Sequence, residues 1–180
     1  MKLLPVVFFL TFSSLVAANE DAQNKGPEAA YQEILVSKVQ IEADKDLSNA
    51  DELKWYDDLE NEATAYIVKT FKGEGFSASA ASEITGQKAA IITTNAKFNP
   101  GNQAVRWVGG LFGAGKATAD VTMSAVDSET KAVIATKNYS TTMRMGGLGG
   151  SSRSFFIGAV DGAWNELYGD VAKLVKTANR

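Results

Sequence analysis

Residues 118–139 read TADVTMSAVDSETKAVIATKNY, a stretch in which two alternating runs flank a short polar segment. The first run alternates polar side chains with the apolar Val121, Met123 and Ala125, and the second begins at Val133. The segment between them, Asp127 to Thr130, is rich in residues that favour turns. A period of two residues is typical of strands with one buried face. The stretch therefore predicts a β-hairpin with one face in water and the other against helices.

Two further strands are predicted upstream of the hairpin. The run from Ile34 to Ile41 is dense in Ile, Leu and Val, which indicates a single buried strand. A second run ends at the turn residues Asn99 to Asn102 and places on one side Ala90, Ile92, Thr94, Ala96 and Phe98. Its other side is polar, so the pattern predicts a strand of the same half-exposed kind as the hairpin.

Two long amphipathic helices are predicted from apolar residues at helical spacing. Asn49 and Glu52 can form a capping box for the first helix, which ends at Gly73 and has the stripe Leu53, Tyr56, Leu59, Ala63, Ile67 and Phe71. The second is predicted from about Ser152 to Ala178, with Ser151 or Ser152 as its N-cap. Its stripe consists of Phe156, Val160, Ala163, Leu167, Val171 and Leu174.

The order of these elements predicts an α+β fold. We expect a two-layer sandwich in which a mostly antiparallel sheet is covered on one face by two long helices. Residues 31–180 are expected to form this single domain, and the polar residues 19–30 are expected to be a flexible lead-in.

The first eighteen residues have the pattern of a secretory signal peptide. Lys2 is followed by an apolar run from Leu3 to Leu15 and by the small residues Val16, Ala17 and Ala18. The run is shorter than the roughly 20 residues that cross a bilayer. The chain also has no cysteine to carry a lipid. We therefore expect an exported, periplasmic or secreted protein with no transmembrane segment or lipid anchor after cleavage.

The composition of the chain excludes several kinds of chemistry. Its 180 residues include no cysteine and no histidine, which removes thiolate nucleophiles, cysteine zinc sites and the commonest general base. A formal net charge of -3 argues against nucleic acid as a partner. No catalytic residue, cofactor site or metal site is predicted.

The glycine-rich run Gly110 to Lys116 has the spacing of a phosphate-binding loop up to its lysine. The next position of such a loop must be Ser or Thr, but here it is Ala117. Such a loop also opens a helix, whereas this run precedes a predicted strand. We therefore interpret it as a turn and expect no nucleotide binding.

A second glycine cluster, Gly146 to Gly150, runs directly into the final helix. Glycines before free N–H groups at a helix N-terminus are typical of anion pockets. The candidate anion site consists of Gly149, Gly150, Ser151, Ser152 and Arg153. The other interpretation is a flexible connection capped by serine.

Two groups of residues are candidates for a partner surface. Arg106, Trp107 and Phe112 form an aromatic and apolar concentration that is either an exposed patch or a short buried helix. In the final helix, the glycines lie nearly opposite the apolar stripe, at Gly158, Gly162 and Gly169. Either a second backbone packs closely against them, or they are tolerated on a wet face.

Several of these features resemble one known family. They are Arg106-Trp107 and Gly113 to Lys116, the Val126-Asp127 entry to the hairpin, and Gly149-Gly150 before the final helix. Together they resemble the bacterial family called domain of unknown function 4410. The resemblance implies an exported protein, commonly a lipoprotein, with the layout of small modules of envelope assembly proteins. It implies no catalytic residue, because the family has no established reaction.

These observations favour a non-enzymatic envelope module that binds another protein or a cell-surface component. The alternative is a domain that binds a small anion or a phosphorylated ligand through its glycine-rich connections.

Export is expected to remove Met1 to Ala18, because the charged, apolar and small-residue regions of a signal peptide follow one another in order. Intact-mass measurement of the exported protein should find Asn19 as its first residue. A mature chain that retains Leu3 to Leu15 would contradict both the export route and the absence of a membrane segment.

Overall fold

The computed structural model describes residues 31–43, 50–81, 88–101, 116–143 and 151–175. These residues form one mixed sheet and two helices, and the α+β class expected from the sequence is confirmed. In chain order the elements are β1 (Glu33–Val36), β2 (Gln40–Ala43), α1 (Ala50–Gly73), β3 (Ala78–Ala80), β4 (Ala89–Asn99), β5 (Ala117–Asp127), β6 (Val133–Met143) and α2 (Ser152–Val171).

The sheet has the strand order β3-β1-β4-β5-β6, and β2 also pairs with β4. The long ladders β4–β5 and β5–β6 are antiparallel, as expected from the hairpin pattern. The short ladders that join β1 to β3 and both β1 and β2 to β4 are parallel. The sheet is therefore mixed: its long ladders are antiparallel as expected, and parallel pairing is confined to the short strands β1, β2 and β3 and one edge of β4.

The strand expected from Ile34 to Ile41 is divided into β1 and β2. Between them, the N–H of Val39 donates to Thr64 Oγ1 of α1 at 2.9 Å. The N–H of Ile41 likewise donates to Glu60 Oε1 of α1 at 2.9 Å. Because α1 side chains accept these hydrogen bonds, the chain leaves regular strand geometry and then pairs with β4 again further along.

The core lies between the sheet and the two helices. Helix α1 buries Tyr56, Leu59, Ala63, Ile67 and Phe71, and α2 buries Phe156, Ala159, Val160, Ala163, Trp164, Leu167 and Val171. From the sheet, Phe98 contributes a large side chain, and its ring centroid lies 4.9 Å from that of Phe156. One residue of the expected α1 stripe is an exception: Leu53 lies in the first turn and is 52% exposed.

The final helix ends earlier than the sequence indicates. It stops at Val171 instead of continuing to Ala178, and a turn follows in which Leu174 N–H donates to Val171 O at 2.9 Å. The turn brings Val175 beside Tyr31, where the two residues form an isolated parallel bridge. The end of the described chain is thereby held against its beginning.

A contact within the same chain explains why residue 162 of α2 is a glycine. A Cβ added at this position would collide with the ring of Tyr139, which reaches up from β6. In the structure the close neighbour of Gly162 is therefore a side chain of the same molecule, and a role of Gly162 in a partner surface stays a prediction. At Gly158 and Gly169 an added Cβ meets nothing within 4 Å. The role of Gly158 in a partner surface stays a prediction.

Alanine at these two glycines should have opposite effects on stability. We expect Gly158→Ala to raise the free energy of unfolding by up to about 1 kcal/mol, because glycine disfavours helix interiors. We expect Gly162→Ala to lower it by about 1–3 kcal/mol, the usual range for overpacking. Urea denaturation measures both changes.

The contact with Tyr139 can be tested separately in a double-mutant cycle. In a Tyr139→Ala background, Gly162→Ala should become stabilising, because the ring that blocks the new Cβ is gone. Equal stabilisation by Gly158→Ala and Gly162→Ala in the native background would contradict the packing role of Gly162.

Candidate binding surface

The face of the sheet opposite the helices carries short polar side chains on its three long strands. In β4 and β5 the buried residues alternate with exposed or half-buried ones, so the second set points away from the helices. We call this surface the polar face, and it consists of Thr93, Asn95, Lys97, Thr118, Asp120, Thr122, Ser124, Thr136, Asn138, Ser140 and Thr142. Its members align in rows across the strands, because residues paired in register share a face.

Hydrogen bonds within the rows fix several of these side chains. Thr122 Oγ1 donates to Asn138 Oδ1 at 2.8 Å, and the hydroxyls of Ser124 and Thr136 are 2.9 Å apart. Asn95 is the neighbour of Thr122 on the other side, which makes a row of Asn, Thr and Asn across three strands. The arrangement offers amide and hydroxyl groups in set positions to a polar partner.

The charges on the polar face are few and mixed in sign. Lys97 stands opposite Asp120 in the β4–β5 ladder. It also forms an ion pair with Glu42 of β2, with 3.6 Å between Lys97 Nζ and a carboxylate oxygen. Exposed pairs of this kind contribute little to stability. The surface is therefore close to neutral and suits a partner that is polar but not strongly charged.

The described part of the candidate anion site is used by the fold. Ser151 is the N-cap of α2 and accepts a hydrogen bond from the N–H of Ser154 at 3.0 Å. Ser152 Oγ donates to the carbonyl of Pro100 at 3.3 Å, and Arg153 is paired with Glu62 of α1. Gly149 and Gly150 lie outside the described residues.

Other candidates from the sequence also lie outside the described residues. These are the partner-surface residues Arg106, Trp107 and Phe112, together with most of the glycine-rich run before Lys116. Lys116 itself is described, and β5 begins directly after it at Ala117. A phosphate loop would open a helix at this point, so the structure lacks the element that such a loop requires.

A cluster around Asp127 joins three distant parts of the chain, of which the sequence predicts only the hairpin turn that begins at Asp127. Asp127 Oδ1 accepts from the N–H groups of Thr130 at 2.7 Å and Glu129 at 2.8 Å, which closes the turn of the hairpin. Its other oxygen accepts from the hydroxyl of Tyr31 at 2.9 Å. Lys88 Nζ lies 3.9 Å from the same oxygen and 5.6 Å from the centre of the Tyr31 ring.

These contacts change the acidity of Asp127 and Tyr31. The backbone N–H of Thr130 and the Tyr31 hydroxyl are the main causes that lower the pKa of Asp127 to about 2. Burial, followed by the hydrogen bond to Asp127, raises the pKa of Tyr31. A carboxylate held ionised by so many donors serves as a structural acceptor and is a poor general base near neutral pH.

Two tyrosine–carboxylate hydrogen bonds connect α1 and the residues just after it to α2. Tyr66 Oη of α1 donates to Asp161 Oδ1 of α2 at 2.6 Å. Tyr168 Oη of α2 donates to Glu74, just after α1, at 3.2 Å. The first of these bonds is the main cause that raises the pKa of Tyr66. Both pairs connect α1, or the residue just after it, to α2. They therefore belong to the helical layer and contribute no side chain to the polar face.

The described ranges contain neither a cluster of metal-ligating side chains nor a membrane-spanning helix. No group of three or more potential metal-ligating side chains comes together among these residues. In the same part of the chain, no helix is both long enough and apolar enough to cross a membrane.

The sequence matches one family model, described as a domain of unknown function (DUF4410), over residues 31–147. No curated protein matches the chain. Among solved structures, the PelC dodecamer from Paraburkholderia phytofirmans is 13% identical, with coverage of 78% of this chain and 91% of that one and a TM-score of 0.47.

Two other solved structures are similar at a comparable level. A neuraminyllactose-binding hemagglutinin homologue from Helicobacter pylori is 11% identical, covering 91% of this chain and 90% of that one, with a TM-score of 0.40. Lipoprotein GNA1162 from Neisseria meningitidis is 17% identical, covering 78% and 98%, with a TM-score of 0.34.

Replacing Asp127 with Asn should destabilise the fold in a pH-dependent way. Because folding lowers the pKa of Asp127, its ionised form stabilises the native state above the unfolded pKa of about 4. That stabilisation is lost as the pH falls towards 2. The melting temperature of Asp127→Asn should therefore be well below that of the unsubstituted protein at pH 7, and the gap should close between about pH 4 and pH 2.

Asp120→Asn is the matched control, because Asp120 lies exposed on the polar face of the same strand. Its melting temperature should stay near that of the unsubstituted protein throughout the titration. A gap for Asp127→Asn that is unchanged from pH 7 to pH 2 would contradict the role of the ionised carboxylate.

Proposed function

We propose, from the premise that the chain belongs to the family of domain of unknown function 4410, that it is an exported, non-enzymatic binding module of the cell envelope. Its polar face is the contact surface, and its partner is another protein or a cell-surface component. The observation that carries this proposal is the array of polar side chains on β4, β5 and β6, which hydrogen bonds between β5 and β6 hold in place in two rows.

The physical argument for binding rests on the order of this array. A side chain that is already held in one rotamer loses little entropy when a partner contacts it. The Thr122–Asn138 and Ser124–Thr136 bonds hold four such side chains in β5 and β6. Long antiparallel ladders on both sides of β5 keep the backbone beneath them rigid.

The argument for a non-enzymatic module rests on the available side chains. Without histidine or cysteine, a catalytic proton transfer or nucleophilic attack would need carboxylates, lysine or hydroxyl groups. Among the described carboxylates, Asp127 has the pKa that is lowered most. It already accepts hydrogen bonds from two N–H groups of the turn and from the hydroxyl of Tyr31. Export is supported by the signal-peptide pattern of residues 1–18.

The alternative, binding of a small anion at Gly149 to Arg153, has less support in the described residues. Ser151 caps its own helix, and Arg153 is paired with Glu62. A thermal-shift titration with inorganic phosphate tests this alternative, because a ligand at 100 times its dissociation constant stabilises by about 2.7 kcal/mol. A phosphate-dependent shift that is lost in Arg153→Gln would favour anion binding over the polar-face proposal.

The polar-face proposal is tested by placing a large charged side chain at its centre. Immobilised Asn95→Arg protein should recover less of a specific partner from the envelope fraction than unsubstituted protein does. Asn95 is exposed at the middle of β4, so the new side chain should block contact without disturbing the core. Quantitative mass spectrometry of the captured material measures the difference.

Asn61→Arg is the matched control for this experiment. Asn61 is exposed on α1, where its side chain donates to Asp57, and arginine can donate to the same carboxylate. Its capture should equal that of the unsubstituted protein. A partner captured equally by both variants does not use the polar face, and that result would overturn the proposal.

A further inference from the structure

The outer edge of β6 is a long strand edge without a neighbour in the described residues. Strand β6 runs from Val133 to Met143 and pairs on one side with β5. On its other side, no backbone hydrogen bond is made to any described residue. On the opposite side the sheet ends in the short strands β3, of three residues, and β2, of four, so β6 is the longest strand edge without a neighbour among the described residues.

Most features that protect a strand edge from pairing are missing from β6. The strand contains no proline, and its register shift against β5 is confined to its beginning, opposite Ala125 and Val126. Its single charged residue, Lys137, is on the helix side and pairs with Asp170 of α2 at 3.0 Å. An inward charge of this kind usually discourages pairing, but here Asp170 neutralises it.

We propose that the β6 edge binds the β6 edge of a second copy of this chain, in antiparallel orientation about a two-fold axis. The pairing joins the two sheets into one continuous sheet. It goes beyond the proposed function and does not depend on it, because the strand edge pairs through backbone groups, whereas the polar face makes contact through side chains.

The helical layer favours a second copy over an isolated peptide. Helix α2 packs on β5 and β6, so the helical cover ends at the edge of the sheet. A peptide added beside β6 would leave one of its faces without a helix. A second copy brings its own α2, and with strands about 4.8 Å apart the two α2 axes would lie about 10 Å from each other. Helices pack at about 8–10 Å, so the second helix fits.

The register centred on Asn138 fits the strand best. Asn138 is the midpoint of β6, so this register overlaps the whole strand with its copy. Lys137 then stands opposite the partner's Tyr139 and away from the partner's Lys137, which avoids a like-charge pair. Thr136 stands opposite the partner's Ser140, and the polar face continues across the two-fold axis.

A single introduced cysteine tests the contact, because the chain has no cysteine of its own. In Asn138→Cys the two new thiols should lie directly opposite each other, so mild oxidation should give a disulfide-linked dimer on a non-reducing gel. Asn95→Cys is the matched control, since Asn95 is an exposed asparagine in the same row but two strands away from the edge. Equal cross-linking of the two variants, or none at Asn138→Cys, would overturn the proposal.

A pair of double variants tests the register by charge. Thr136→Lys with Ser140→Lys should place like charges opposite each other twice and weaken dimerisation by at least about tenfold. Thr136→Lys with Ser140→Glu should leave the dimer intact, because each new lysine faces a new glutamate. Both variants lose the same Ser124–Thr136 hydrogen bond, and they differ in the sign of the charge at position 140, which also faces Asp120 of β5 in the same copy.

Sedimentation equilibrium of purified protein measures these differences. The expected result is twice the monomer mass for the unsubstituted protein and for the Lys/Glu variant, and monomer for the Lys/Lys variant. A monomeric unsubstituted protein at every concentration measured, or equal association of the two variants, would overturn the proposal. The polar-face proposal is tested by a different experiment, partner capture with Asn95→Arg, so either proposal can fail while the other holds.

Discussion

The double-sided pairing of β4 is the constraint on which the rest of the structure depends. One edge of β4 carries β1 and then β2 in parallel, and the other edge carries β5 over ten antiparallel pairs. The strand alternates strictly enough that Ala90, Ile92, Ala96 and Phe98 all enter the core. A shift of one residue would exchange the buried and polar faces of the sheet. Register in this one strand therefore determines both the core and the polar face.

The parts of the fold that the sequence predicts are those with strong local periodicity. The alternation in β4, β5 and β6 identifies the strands and their inward residues, and the spacing in α1 and α2 identifies the helices. These signals lie within single segments of about ten to twenty residues and need no knowledge of neighbours. They were sufficient for the α+β class and for the helical cover on one face.

The parallel half of the sheet could not be predicted in the same way. Strand β3 has only three small residues, Ala78 to Ala80, and gives no periodic signal. The break between β1 and β2 depends on Thr64 and Glu60 of α1, which accept the N–H groups of Val39 and Ile41. Such contacts become visible only when the helix is placed beside the strand.

The candidate site was likewise predictable only where its residues belong to a pattern within one segment. Contacts between distant segments were not predictable. The polar residues of β4 to β6 were visible as one side of an alternation, but their alignment into rows depends on the register between strands. The turn at Asp127 was visible in the sequence, but its hydrogen bond to Tyr31 joins residues 96 positions apart, and no local pattern indicates that contact. Gly162 stood out as an unusual residue for a helix interior. The reason for a glycine there is the ring of Tyr139, which lies on β6 and leaves no room for a Cβ.

The polar face and the β6 edge, which no described residue covers, have different chemistry and would act together. The polar face presents side chains, so its selectivity depends on which groups a partner can match in position. The β6 edge presents backbone groups, which any strand can meet, so selectivity there must come from the helix beside it and from register. Pairing through β6 would leave the polar face uncovered and would place two copies of it side by side. A partner with repeated features could then contact both copies, and the second contact would form at the high effective concentration of a linked site. A weak polar surface would thereby hold such a partner more tightly than a single copy could.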